Sequence, residues 1–266
     1  SFAAYISLKD HPTAPNQIYT NEFSLYRMSE ITANTALFGI LGSDQIFKSK
    51  GLTFYNNLFC ANKMDAVYLP FFSDNIQDFL AFKTFLDNKL KAFSITMPFK
   101  KSFLLNQSVN LCVCKSNTFL NTDILAFKKI FKDISINNKN IVILGSGASA
   151  VSALIALDNS PNTFIFARNK SAVIQLCESY NLKPYSGQTP HIVINTTPLG
   201  LHNENLNDFF DLANSSILID LPYSDKKTPA AELFANNKKY IIEGHTFWKF
   251  QSELQKEIFL NELIRI

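Results

Sequence analysis

Ile141-Val142-Ile143-Leu144-Gly145-Ser146-Gly147-Ala148-Ser149-Ala150 is an apolar run that turns through two glycines straight into a helical pattern. Four consecutive apolar residues suit a strand buried on both faces, as in a parallel sheet. Gly145 permits the tight turn, and Gly147 lets the backbone approach a pyrophosphate. The helix that follows offers unpaired N–H groups and the positive end of its dipole. The motif alone does not separate a dinucleotide site from an ordinary strand–turn–helix, so its surroundings decide.

Outward from this stretch, short apolar runs alternate with helical patterns. Asn140–Leu144, Thr163–Ala167, His191–Asn195 and Ile217–Leu221 read as buried strands, with helices near 148–157, 171–180 and 229–236. Upstream, strands at Leu37–Leu41, Ala66–Phe71 and Ala92–Thr96 alternate with helices near 54–62 and 75–86. The alternation predicts an α/β fold with two α/β domains, each built on a mostly parallel sheet. The closing stretch 246–264 places Phe247, Phe250, Gln251, Leu254, Ile258 and Leu263 close to one helical stripe, so it should pack on an apolar surface and can return to the first domain. Residues 1–36, punctuated by Pro12, Pro15, Asn16 and Asn34, hold no periodic pattern and read as a tail or linker. Beginning on Ser1 rather than Met, the tail hints at a missing upstream part.

Composition narrows the function. The 266 residues are 47% hydrophobic, enough for properly buried cores, and 25 basic side chains nearly balance 22 acidic ones. No run of one charge sign suggests a nucleic-acid or membrane partner, which leaves a small molecule. Cys60, Cys112, Cys114 and Cys177 are too scattered for a disulfide scaffold, and a lone Cys-x-Cys does not complete a tetrahedral metal site; the expectation is reduced thiols in a cytoplasmic protein without a metal. No segment approaches the roughly 18 apolar residues of a spanning helix.

The strand Phe164-Ile165-Phe166-Ala167-Arg168 ends where a dinucleotide site specific for NAD would present a carboxylate to the ribose. Arg168, with Lys170, instead suits the 2′-phosphate of NADP, although plain surface charge is the other reading. The loop Asn195-Thr196-Thr197-Pro198-Leu199-Gly200 closes the next strand at the carboxyl end of the sheet, where ligands bind in such folds.

Polar constellations also mark the first domain: Thr96-Met97-Pro98-Phe99-Lys100 at a strand end, and Asn117-Thr118 with Asn121-Thr122-Asp123 before a helix. Together with Gly145-Ser146-Gly147, Asn195–Gly200, Asp220-Leu221-Pro222-Tyr223, Thr228-Pro229, and Gly244 followed by Gln251, they resemble the shikimate dehydrogenase family in family order. The resemblance implies reversible hydride transfer between NADPH and 3-dehydroshikimate, with Lys100 and Asp123 as the catalytic pair. It implies substrate contacts from Ser49, Thr96, Asn117, Tyr223 and Gln251, and cofactor contacts from Gly145, Ser146, Gly147, Ala148, Arg168, Thr196, Thr197 and Gly244. It further implies a substrate domain of 37–122 plus 244–266 and a Rossmann-type NADP domain of 123–243. The residue types suit the chemistry, since an ammonium can stabilise and protonate the developing alkoxide while a carboxylate orients it. A solvated lysine and a helix N-cap remain the plain alternatives for Lys100 and Asp123.

Departures from the family pattern are visible. The first loop is Lys48-Ser49-Lys50-Gly51-Leu52, lacking one of two expected hydroxyls, and Lys48 or Lys50 can compensate. The hairpin between the two Asn-Thr motifs reads as missing. Ala148 replaces a usual glycine, and Ala167 a usual asparagine. The tail's Ala14-Pro15-Asn16-Gln17 resembles a loop near the end of type I 3-dehydroquinate dehydratase, which implies the carboxyl portion of a bifunctional protein. A quinate dehydrogenase and a non-catalytic shikimate or quinate sensor are the competing functions.

Overall fold

A computed structural model describes residues 5–7, 17–19, 26, 30–104, 107–158, 160–210, 212–223 and 226–264. Strands β1 (Tyr5–Ser7) and β2 (Gln17–Tyr19) form a small parallel pair within the segment expected to lack regular structure. The described residues divide into two compact units, one running to Thr122, with β1 and β2 in it, and resuming at Ser252, the other spanning Asp123–Gln251.

The first unit is a five-stranded sheet of order β4-β3-β5-β6-β7, built from β3 (Ala36–Gly42), β4 (Ala66–Phe72), β5 (Leu90–Ile95), β6 (Leu111–Val113) and β7 (Thr118–Leu120). Strands β3, β4 and β5 are parallel and joined through α1 (Lys50–Ala61) and α2 (Ile76–Leu86). Strands β5, β6 and β7 are antiparallel. A hairpin is present, but ahead of the interval expected to lack one: Leu111↔Leu120 and Val113↔Thr118 pair across it, Asn117 stands at its turn, and only the end of β7 separates Thr118 from Asn121. Phenylalanines fill the core, with Phe38 packed 5.3 Å from Phe59 and 5.0 Å from Phe259, contacts that bury large apolar area in favourable ring geometry.

The second unit opens with α3 (Thr122–Asp133) and holds a six-stranded sheet of order β10-β9-β8-β11-β12-β13. Its strands are β8 (Ile141–Leu144), β9 (Thr163–Phe166), β10 (Lys183–Pro184), β11 (Ile192–Asn195), β12 (Ile217–Asp220) and β13 (Tyr240–Glu243), all parallel. Helices α4 (Ala148–Leu157), α5 (Lys170–Tyr180) and α6 (Pro229–Asn236) are the crossovers. Every residue of β8, β11 and β12 is buried, as a sheet covered on both faces requires. Chain order reverses between β8 and β11, the switch point at which such sheets open a crevice.

Helix α7 (Gly244–Ile264) starts in the second unit and ends in the first. The side chains it buries most are those of Phe247, Ser252, Gln255, Phe259 and Glu262, whereas Phe250, Leu254, Ile258 and Leu263 of the expected apolar stripe are only partly buried. Three of these five are polar, and an apolar periodicity does not find them. Among the described residues no helix is long and apolar enough to cross a membrane.

Candidate active site

In the second unit the glycine turn leaves β8 at the switch point. Gly145 has φ +114°, and a Cβ there would lie 2.4 Å from Thr196 Oγ1, so the adjoining loop excludes any side chain. Thr196 is itself fixed by its N–H and its hydroxyl, both donated to the Leu144 carbonyl at 2.9 and 2.6 Å. Gly147, the residue before α4, differs: nothing lies within 4 Å of where its Cβ would be. Ser146 and Ala148 flank this open backbone, and the 10-residue helix behind it presents its amino end. Space beside unpaired N–H groups is what a pyrophosphate needs.

The Gly145 N–H donates to the Phe166 carbonyl at 2.8 Å, which brings the end of β9 beside the turn. Arg168 and Lys170 are exposed there, on either side of Asn169, whose side chain accepts the Ala172 N–H at the start of α5. A buried trio braces the next loop. The Asn195 amide donates to Asp220 at 2.7 Å and to the Leu199 carbonyl at 3.0 Å, while the Thr228 hydroxyl donates to the other Asp220 oxygen. Thr197 is tied back to Asn195 Oδ1 through its hydroxyl at 2.7 Å.

A cavity of about 170 Å³ in this unit is lined by Asp220, Pro222, Tyr223, Thr228, Gly244 and His245, among others, with the Tyr223 and His245 rings 5.0 Å apart. A Cβ on Gly244 would meet the Leu221 carbonyl at 2.2 Å, so a glycine is required here by close approach of the backbone.

The first unit gathers polar groups at the carboxyl ends of β3 and β5. The Thr96 N–H donates to the Leu41 carbonyl at 2.9 Å, and the cis Met97–Pro98 bond leads into a short 3-10 turn carrying half-buried Lys100. Ser49 precedes α1, where its oxygen accepts the Gly51 N–H at 3.2 Å and its own hydroxyl proton is left to donate. Asp123 is buried within the first turn of α3 rather than capping it, a position the helix dipole favours for a carboxylate.

Asn117 lies elsewhere. It is exposed at the hairpin turn with φ +48°, bonded through its N–H to the Cys114 carbonyl. The asparagine that accompanies Lys100 is Asn110. It is 2% exposed, adjoins Val109, whose N–H donates to the Lys100 carbonyl at 2.8 Å, and takes the Thr122 N–H and hydroxyl on Oδ1 at 2.8 and 3.1 Å. Reading the residues by type missed it. The signal that would have found it is an asparagine just before a short apolar run that can pair back on β5. Gln251 is half-buried on α7.

No protein-family model matches the chain. It is similar to the shikimate biosynthesis protein AroDE of Chlamydia pneumoniae, 25% identical over 287 residues that take in 99% of this chain and 58% of that protein. It is also similar to the NADP(+) shikimate dehydrogenase of Aquifex aeolicus, 26% identical over 220 residues, covering 74% of this chain and 81% of that enzyme. Its fold superposes with a TM-score of 0.70 on the shikimate 5-dehydrogenase of Thermus thermophilus solved with NADP(H) and shikimate, at 15% identity over 84% of this chain and 92% of that one. The chain thus spans little more than half the length of AroDE.

Proposed function

We propose that this chain is an NADP-dependent shikimate dehydrogenase, reversibly reducing 3-dehydroshikimate to shikimate on the way to aromatic amino acids. One observation carries the reading: a glycine turn left open at Gly147 before a helix occurs in the same chain as a polar strand-end cluster of Thr96, Lys100 and Asn110, bonded to the residue preceding Asp123. Relatives that include an NADP(+) shikimate dehydrogenase support it.

The residues divide the work. Asp123–Gln251 is the cofactor unit, where the Gly145–Ala148 backbone receives the pyrophosphate, Thr196 and Thr197 shape the crevice, and Arg168 with Lys170 holds the 2′-phosphate. NADPH supplies the hydride. Lys100 stabilises the carbonyl oxygen as charge develops on it and delivers the proton, and the Asp123 carboxylate orients the ammonium and the ring hydroxyl. Ser49 donates to the substrate carboxylate, Lys48 and Lys50 flank it, and Thr96 and Asn110 hold ring hydroxyls, with Asn110 in the role first expected of Asn117. Tyr223 and Gln251, in the second unit, are the further substrate contacts that the family resemblance implies. The scattered free cysteines fit a reducing, cytoplasmic setting. Residues 1–36 are the end of a dehydratase domain of a longer protein. That reading rests on the tail motif, of which Ala14, Pro15 and Asn16 lie outside the described residues, and the AroDE alignment takes in nearly all of residues 1–36.

The test follows NADPH absorbance with 3-dehydroshikimate, with NADH and, in the reverse direction, quinate in parallel. Wild type should consume NADPH, and folded Lys100→Ala should lose on the order of 10² to 10⁴ of kcat, the usual contribution of a positioned acid. Shikimate binding without turnover would replace the enzyme by a sensor, and faster oxidation of quinate than of shikimate would change the substrate.

A further inference from the structure

The buried polar line of α7 is organised around one residue. Gln255, 2% exposed, accepts on Oε1 from Ser94 Oγ at 2.7 Å and from Tyr55 OH at 3.3 Å. Its Nε2 donates to the Asn110 carbonyl and to Thr122 Oγ1, both at 3.3 Å. Ser94 in turn accepts the Tyr68 hydroxyl at 2.7 Å, so the single serine proton goes to Gln255. At the other end, Thr122 Oγ1 accepts from Gln255, so the threonine proton goes to Asn110 Oδ1, which also takes the Thr122 N–H.

Two backbone groups of fixed polarity anchor this relay: the Asn110 carbonyl can only accept, and the Thr122 N–H can only donate. Each proton between them then has one direction. It runs Tyr68 to Ser94 to Gln255, and Gln255 to Thr122 to Asn110. The side-chain oxygen of Asn110 is held by two donors, which turns its Nδ2 group the other way, as a donor.

We infer that Gln255, which no motif of the chain singles out, is a positioning residue that aims the Thr122 hydroxyl at Asn110 Oδ1 and so adds, beside the Thr122 N–H, the second donor that holds Asn110 as a hydrogen-bond donor toward a substrate oxygen. This rests on the dehydrogenase reading for the identity of the substrate, but the orientation of Asn110 does not. A wrongly turned amide would set a carbonyl against a substrate oxygen, and unpaired polar groups in a binding site are strongly discriminated against. Gln255 lies one turn beyond Gln251 on α7, so the helix that presents a proposed substrate contact also orients a second one.

The deciding variants are Gln255→Glu and Gln255→Leu. A carboxylate at this position only accepts, so in the first variant the threonine proton turns away from Asn110 toward the introduced carboxylate and leaves Asn110 Oδ1 with the Thr122 N–H as its one donor of the two. KM for 3-dehydroshikimate should rise at least tenfold at pH 8 while KM for NADPH stays within twofold, and the substrate KM should recover as the pH falls and the buried acid protonates. Gln255→Leu should raise the same KM with no recovery. A merely structural glutamine would lower Tm and leave the ratio of the two KM values unchanged at every pH, and that result overturns the inference. If wild type proves inactive, the dehydrogenase reading fails separately, and the Asn110 side-chain NH2 signal, assigned with Asn110→Asp in ¹⁵N-labelled protein, decides. It should shift in Gln255→Leu, and an unmoved signal refutes the relay.

Discussion

Asp220 is a carboxyl 1% exposed to solvent at the end of β12, and burial raises its pKa above the ordinary 3.8 despite the opposing hydrogen bonds from Thr228 and Asn195; nearby Glu243 raises it further. The sign for stability follows directly. Because the folded state holds this proton more tightly than the unfolded chain, the stability it contributes is fully present below pH 3.8 and is lost as pH rises through the raised folded value. Asp220→Asn keeps the shape and removes the titration. In urea unfolding between about pH 4 and about pH 8, the variant should gain on wild type as pH rises. A constant difference across that range would mean that Asp220 titrates alike in both states. The same logic at alkaline pH applies to Tyr55 and Tyr68, whose hydroxyls burial pushes above 10, so their contribution fades as pH climbs past that value.

At the scale of elements, the β6–β7 hairpin separates two readings of the site. Asn117 occupies a left-handed turn position that asparagine and glycine accept readily, so Asn117→Gly should leave kcat/KM within twofold. Asn117→Ala should cost about 1 kcal/mol of stability without touching the substrate KM. Asn110→Ala, with stability monitored by Tm, should lower kcat/KM at least tenfold. The reverse pattern would return the substrate contact to the turn. Why the hairpin escaped the sequence is physical: its strands hold three residues each, too few for a period to register, and one of the two begins on an exposed threonine. Strands β3, β4, β8, β11 and β12 were legible because they are runs of three to seven mostly apolar residues, as strands inside a covered parallel sheet are. Strand β13 begins on half-exposed Tyr240 and ends on Glu243 at the sheet edge, and so hides among polar residues. Thr96 and Lys100 stand out from their frame around Pro98, and both lie just past the carboxyl end of β5. Ser94, Thr122 and Gln255 were not, because a buried polar residue looks like a surface one until its partners are known.

For the whole molecule, the division at Thr122/Asp123 and Gln251/Ser252 makes the assignment of two ligands to two units measurable without a catalytic assay. NADP+ alone should slow amide exchange at Gly145–Ala150 and at Thr196–Gly200. Shikimate alone should slow it at Thr96–Lys100 and around Asn110. A ligand present at 100 times its Kd stabilises its binding state by about 2.7 kcal/mol, enough to slow exchange through the ligand-free open state about 100-fold. Helix α7 provides the internal control, since residues 244–251 belong to the second unit and 252–264 to the first. Residues 244–251 carry both Gly244, an expected cofactor contact, and Gln251, a proposed substrate contact, so that half should respond to both ligands, whereas 252–264, which hold Gln255, should respond to shikimate alone. Protection of Gly145–Ala150 by shikimate, or of Thr96–Lys100 by NADP+ alone, would break the assignment of substrate and cofactor to separate sheets. Protection by neither would leave a dehydrogenase fold without its ligands and would count against the enzyme reading as strongly as a silent assay.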